Sequence, residues 1–134
     1  SVKDARKDSY PLADRILIDA PCTGTGVLAR RPDIRWICKP QDIKVSSKKQ
    51  IEILNNCSRF LKTKGTIVYA TCSIEPEENW NVVDRFLKLN TEFLIDSIPS
   101  EVPFDWIDGR GGLRTLPHLH GVDGMFAVKL KRRQ

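Results

Sequence analysis

Cysteine is the residue type here with the most chemistry to offer, and it occurs four times, at Cys22, Cys38, Cys57 and Cys72. A thiolate is a strong carbon nucleophile, and a second thiol beside it can hold or move a proton. Two of the four lie in loop-like segments: Asp19-Ala20-Pro21-Cys22-Thr23-Gly24-Thr25-Gly26 and Thr71-Cys72-Ser73-Ile74-Glu75-Pro76-Glu77-Glu78-Asn79. Cys72 precedes an expected helix amino terminus, where the dipole and free N–H groups stabilise a thiolate. Buried cysteine is also a common small hydrophobe, and Cys38 and Cys57 read that way. For Cys22 and Cys72, position alone leaves packing and chemistry both open. There is no C-x-x-C pair, and His118 and His120 are the only histidines, so no metal site is expected. The thiols read as reduced, in a cytoplasmic protein.

These two segments need elements to hold them. Arg15–Asp19 and Gly65–Thr71 are short, β-branched and almost continuously apolar, as strands buried on both faces of a parallel sheet are. Between them a helix is predicted from Ser47 to Leu61, with Ile51, Leu54, Cys57 and Leu61 on one face and Gly65 just past its end. Strand, helix and strand make a right-handed crossover. A second helix begins at Pro76, where Glu77 and Glu78 suit the positive end of the dipole and Val82, Val83, Phe86 and Leu87 form the inner stripe. A third strand is predicted over Phe93–Ile98 and a last one over Met125–Leu130, separated by a long Gly- and Pro-containing stretch from Pro99 to about Gly121. The fold class is α/β, with an open, mostly parallel sheet. Ligands of such sheets bind beyond the carboxyl ends of the strands, which is where Cys22 and Cys72 fall.

The 134 residues suffice for one domain, and no apolar run approaches membrane-spanning length. No membrane partner is therefore expected. Lys and Arg outnumber Asp and Glu by 22 to 17, a net charge of +5 that suits a polyanion such as RNA. Arg30, Arg31, Arg35 and Trp36 follow the first cysteine loop. That combination suits phosphate contact and base stacking, although Trp36 packed on the domain with solvated arginines is an equal reading.

The pair Asp19-Ala20-Pro21-Cys22 and Thr71-Cys72-Ser73, with Pro76-Glu77-Glu78-Asn79, resembles the signature of the RNA cytosine-5 methyltransferases. Arg31-Pro32-Asp33-Ile34-Arg35-Trp36 and His118-Leu119-His120-Gly121-Val122-Asp123-Gly124-Met125-Phe126 extend the likeness from Asp14 onward, closest to the Sun/Fmu group acting on bacterial small-subunit ribosomal RNA. The resemblance implies a Rossmann-like class I methyltransferase sheet, mostly parallel with an antiparallel last strand, and S-adenosylmethionine as cofactor. Two thiols make chemical sense there. Carbon 5 of cytosine is a poor nucleophile until a thiolate adds to carbon 6, and after methyl transfer the carbon 5 proton and the enzyme thiol must both leave. Which cysteine does which job does not follow from spacing. The resemblance implies that Cys72 is the nucleophile and that Cys22 assists proton removal and release. It also implies that Asp19 lies close to both cofactor and target base. Pro21 fixes the loop that presents Cys22, and Arg31 and Arg35 are the RNA-contact candidates.

The glycine-rich cofactor turn of that family and its following acidic residue do not occur here, and Gly24-x-Gly26 belongs to the other loop. The expectation is that residues 1–134 are a single partial domain, the carboxyl-terminal part of the catalytic domain, inactive without the cofactor-binding half. The alternatives are a non-catalytic RNA-binding module, which leaves the two strand-end cysteines unexplained, and the same chemistry on transfer RNA. An acyl-transfer thiol enzyme would need one of the two histidines as base. Oligomeric state is not legible.

Overall fold

A computed structural model describes residues 2–134. Strands β1 (Ala13–Asp19), β2 (Leu61–Thr71), β3 (Phe93–Ile95), β4 (Leu113–Thr115) and β5 (Met125–Arg132) form one sheet in the order β1-β2-β5-β3, with β4 also paired to β5. β1 and β2 are parallel, and β5 runs antiparallel to β2, β3 and β4. Four strands therefore share one direction and the last opposes them, as expected. The helices are α1 (Ile34–Ile37), α2 (Pro40–Ser58), α3 (Trp80–Leu89) and α4 (Pro117–His120).

One sheet face carries the core. Ile18, Ile67, Tyr69, Phe126, Val128 and Leu130 meet Ile51 and Leu54 of α2 and Val82, Val83 and Phe86 of α3, all buried. The strands were expected to be buried on both faces, and this is corrected. β2 alternates buried and half-buried residues, and Leu17 on β1 is 72% exposed, because both long helices pack on the same side. The opposite face bears a groove of about 710 Å³ lined by Leu17, Thr66, Val68, Ala127 and Lys129 among others.

Element ends also differ. α2 begins at Pro40 rather than Ser47, since proline is preorganised for the first helical position and the Asp42 carboxylate accepts the Lys39 N–H at 2.8 Å. It ends at Ser58, so Leu61 starts β2. Gly65 is a strand residue and not a helix cap. It follows Lys64, whose φ is +62°, and a Cβ on it would lie 2.7 Å from Leu61 Cγ. β3 stops at Ile95, whereas β5 runs on to Arg132. The stretch after β3 is pinned to α3: Trp80 Nε1 donates to Asp108 at 2.6 Å, while Arg110 lies 4.0 Å over the Trp80 ring and pairs with Asp84 at 2.5 Å.

Candidate active site

The parallel pairing of β1 with β2 sets Asp19 opposite Ala70, so the loops that leave their carboxyl ends start side by side. The two sulfurs consequently approach to 3.2 Å. Both cysteines are half-buried. Burial, then the Cys72 thiol beside it, pushes the Cys22 thiol up to about 12, against the pull of the Cys72 and Gly24 backbone N–H groups. Cys22 therefore holds its proton well beyond neutral pH. Cys38 and Cys57 are also pushed up by burial. Cys57 packs against the core, as expected of a small hydrophobe. Cys38 differs: with Cys22, Thr23, Ile34 and Ile37 it lines a hollow of about 270 Å³ at the mouth of the site.

Pro76–Glu78 forms a single 3-10 turn, and α3 starts only at Trp80. Cys72 is thus not capped by a long helix, and the dipole argument for its thiolate has no element behind it. Glu78 turns inward from that 3-10 turn and is fully buried, while Glu77 stays exposed. The Glu78 carboxylate accepts the Thr23 N–H at 2.9 Å, the Thr23 hydroxyl at 2.7 Å, the Gln50 amide at 3.1 Å and the Ser73 hydroxyl. Its own carbonyl accepts the Tyr69 hydroxyl at 2.7 Å. Gln50 also donates to the Pro21 carbonyl at 2.9 Å. Asn79 accepts the Thr71 hydroxyl at 2.6 Å and donates to the Ser73 carbonyl at 2.8 Å.

A third segment closes the rim. Gly26 N–H donates to the Cys72 carbonyl at 2.9 Å, and Gly124 N–H donates to the Gly26 carbonyl at 2.7 Å. The backbones cross so closely that a Cβ on Gly26 would sit 1.9 Å from the Gly124 oxygen. Arg30 pairs with Asp123 at 2.6 Å across the same junction.

Of the residues singled out from sequence, Cys22, Cys72, Asp19 and Pro21 are brought to one rim, with Asp19 and Pro21 exposed on it. Arg31 and Arg35 stand exposed on and beside α1, with Arg31 paired to Asp33 at 3.0 Å. Trp36 is 84% exposed and does not pack on the domain. His120 is committed elsewhere. Its Nδ1 accepts the Leu116 N–H at 2.9 Å, so Nε2 carries the proton and donates to the Asp105 carbonyl at 3.0 Å. Sequence reasoning missed the inward turn of Glu78 and its partners Gln50, Thr23 and Ser73. A signal existed for Gln50, a polar residue on the same helical stripe as Leu54 and Cys57. Among the described residues no cluster of three or more His, Cys, Asp or Glu is placed to hold a metal, and no helix is long and apolar enough to cross a membrane.

The family profile described as 16S rRNA methyltransferase RsmB/F matches residues 2–131. The chain belongs to that family. It is 46% identical over 118 residues to ribosomal RNA small subunit methyltransferase B of Pectobacterium atrosepticum, covering 87% of this chain and 26% of the relative. It is 37% identical over 125 residues to the probable ribosomal RNA small subunit methyltransferase B of Bacillus subtilis, covering 90% and 28%. The chain thus spans about a quarter of the length of the curated RsmB relatives it matches. Among solved structures, PH0851 superposes with a TM-score of 0.89 at 34% identity over 98% of this chain and 30% of that one. NSun6 from Pyrococcus horikoshii, solved with SFG, gives 0.82 at 29% identity over 98% and 34%. These likenesses carry the mixed, mostly parallel sheet of the RsmB/F methyltransferases over nearly every residue of the chain.

Proposed function

We propose that this chain supplies the two-thiol part of an S-adenosylmethionine-dependent RNA cytosine-5 methyltransferase acting on small-subunit ribosomal RNA. The observation that carries the reading is the 3.2 Å approach of Cys22 and Cys72 at the carboxyl ends of paired parallel strands. Burial raises the Cys22 thiol, which suits a group that holds a proton for the release step.

Cys72 is the attacking thiolate, adding to carbon 6 of the cytosine so that carbon 5 gains electron density. S-adenosylmethionine supplies the electrophilic methyl group. Asp19 is the described residue that fits the cofactor: its carboxylate is exposed at the end of β1, free to accept a hydrogen bond from an amine or hydroxyl and equally in reach of the cytosine amino edge. In the release step the carbon 5 proton passes to the Cys22 sulfur while the Cys22 proton passes to the departing Cys72 sulfur. The ring double bond re-forms and both thiols end protonated. Arg31, Arg35 and the exposed Trp36 form the RNA-contacting flank, phosphate contacts going to the arginines and stacking to the indole. The target base leaves any stack to reach the rim. The 134 residues alone bind S-adenosylmethionine weakly and do not turn over, because the glycine-rich cofactor turn and its following acidic residue do not occur among them.

The test is covalent trapping on 5-fluorocytosine RNA, in which fluorine cannot leave as a proton does and the adduct persists. The chain is joined to the preceding part of the Pectobacterium atrosepticum relative to complete the domain. Cys72→Ala is expected to abolish the adduct and Cys22→Ala to retain it. Loss with Cys22→Ala alone would reverse the two roles, and no adduct in any version would leave only an RNA-binding module.

A further inference from the structure

The geometry points to Glu78 as the positioning residue that sets the separation of the two thiols. Its catalytic meaning rests on the two-thiol reading above. Its structural content does not.

A carboxylate buried without compensation costs several kcal/mol, so a fully buried glutamate needs a donor for each lone pair. Glu78 has four, all neutral: the Thr23 N–H and the Gln50 amide on Oε1, and the Thr23 and Ser73 hydroxyls on Oε2. The identity of these donors is what matters. Thr23 follows Cys22 directly, and Ser73 follows Cys72 directly. Gln50, on the same carboxylate oxygen, holds the carbonyl of Pro21 just before Cys22. One side chain thus anchors the backbone on both sides of one cysteine and the residue after the other. Besides the Cys72 thiol and backbone N–H at the Cys22 sulfur, other ties between the loops reach further out on the Cys22 side. Thr25 Oγ1 meets Ser73 Oγ at 3.3 Å, and Gly26 N–H meets the Cys72 carbonyl. These outer ties shape the path of the Cys72 loop, and the contacts at the Cys22 sulfur follow from the separation that the Glu78 anchors hold.

Charge is not what Glu78 contributes. A buried negative charge disfavours a thiolate nearby, so an activating role has the wrong sign. Geometry alone predicts that glutamine will serve. Its oxygen can accept from the Thr23 N–H and Gln50, and its NH2 can donate to the two hydroxyls, each of which also accepts.

Phenylarsine oxide reads the separation directly, since it condenses with two thiols, releasing water, only where both reach one arsenic. The full chain would be treated with it and the Cys22–Cys72 bridge followed by peptide mass spectrometry. N-ethylmaleimide would report the reactivity of each thiol singly. Bridging in Glu78→Gln is expected to match the parent. In Glu78→Ala it is expected to slow by about tenfold or more while single alkylation of Cys22 and Cys72 continues, in line with the cost of an ångström-scale misplacement. Bridging in Glu78→Ala at the parent rate would overturn the proposal, and so would a glutamine variant as slow as the alanine one. If Glu78→Ala loses its native circular dichroism, Ser73→Ala carries the test by cutting the Cys72 tie together with the Ser73 contacts to Thr25 and the Glu75 N–H, and Thr25→Val, which keeps the Glu78 tie, is its control and is expected to bridge at the parent rate. Slower bridging with unchanged Cys22 alkylation supports the proposal, and unchanged bridging overturns it. Bridging is measured without RNA, so the outcome stands apart from that of the 5-fluorocytosine trap.

Discussion

Cys22 ties the chemistry of the site to the stability of the chain. Its ordinary value is 9.0 and burial beside Cys72 raises it to about 12, so between these limits the unfolded chain has lost a proton that the folded chain retains. Stability therefore falls as pH rises through that window and is untouched by Cys22 below it. Urea midpoints should decline from pH 9 towards pH 12, and Cys22→Ala should flatten the decline. The slope that remains belongs to Cys38, Cys57, Tyr10 and Tyr69, which burial shifts the same way. At this scale the sequence was half legible. The strand-end cysteines were visible because short apolar runs end just before them. Glu78 was not, because a glutamate after proline at a turn is what a solvent-facing first helical turn also looks like, and only the tight 3-10 geometry swings it inward.

The loops around the thiols depend on a backbone crossing with no room for a side chain. A Cβ at position 26 would meet the Gly124 carbonyl oxygen at 1.9 Å and the Cys72 carbonyl at 2.8 Å, both backbone atoms that cannot swing aside. Gly26→Ala should force the β5-leading loop away from the Cys72 loop. Overpacking of this kind typically costs about 1–3 kcal/mol, readable as a lower urea midpoint together with slower arsenical bridging. Elements of regular periodicity were read correctly in kind and misjudged at their ends. The α2 stripe around Ile51 and Leu54 announced a helix, but its first two turns are largely exposed and hold only Ile43 and Val45 as aliphatic residues, too few to extend the periodicity back to Pro40. The short β4 and α4 lie in the Gly- and Pro-containing stretch, where hydrogen bonds from Thr115 to the Asp123 carbonyl and between His120 and its neighbours set the shape. No local pattern encodes those.

At the scale of the molecule, β1 is an edge strand flanked by a groove of about 540 Å³ lined by Tyr10, Leu12, Leu17, Ile53 and Phe60 among others, with Leu12 and Leu17 largely exposed. An unpaired edge that exposes apolar side chains in this way is a template for pairing. The 134-residue chain should show concentration-dependent association in sedimentation, and Leu17→Lys should suppress it while leaving circular dichroism intact. The parallel-sheet reading was sound in direction but overstated burial, since a β-branched run looks the same whether one face is covered or two. The central position of β5 has a different kind of consequence. It is the last strand in the chain, yet β2, β3 and β4 all pair with it. During synthesis from the amino terminus, residues on both cysteine loops leave the ribosome well before the strand that joins the sheet and the Gly124 crossing that closes the rim. A nascent chain therefore carries both thiols before the strand and the crossing that close the rim have been made, so the rim is the last part of this sheet to be completed.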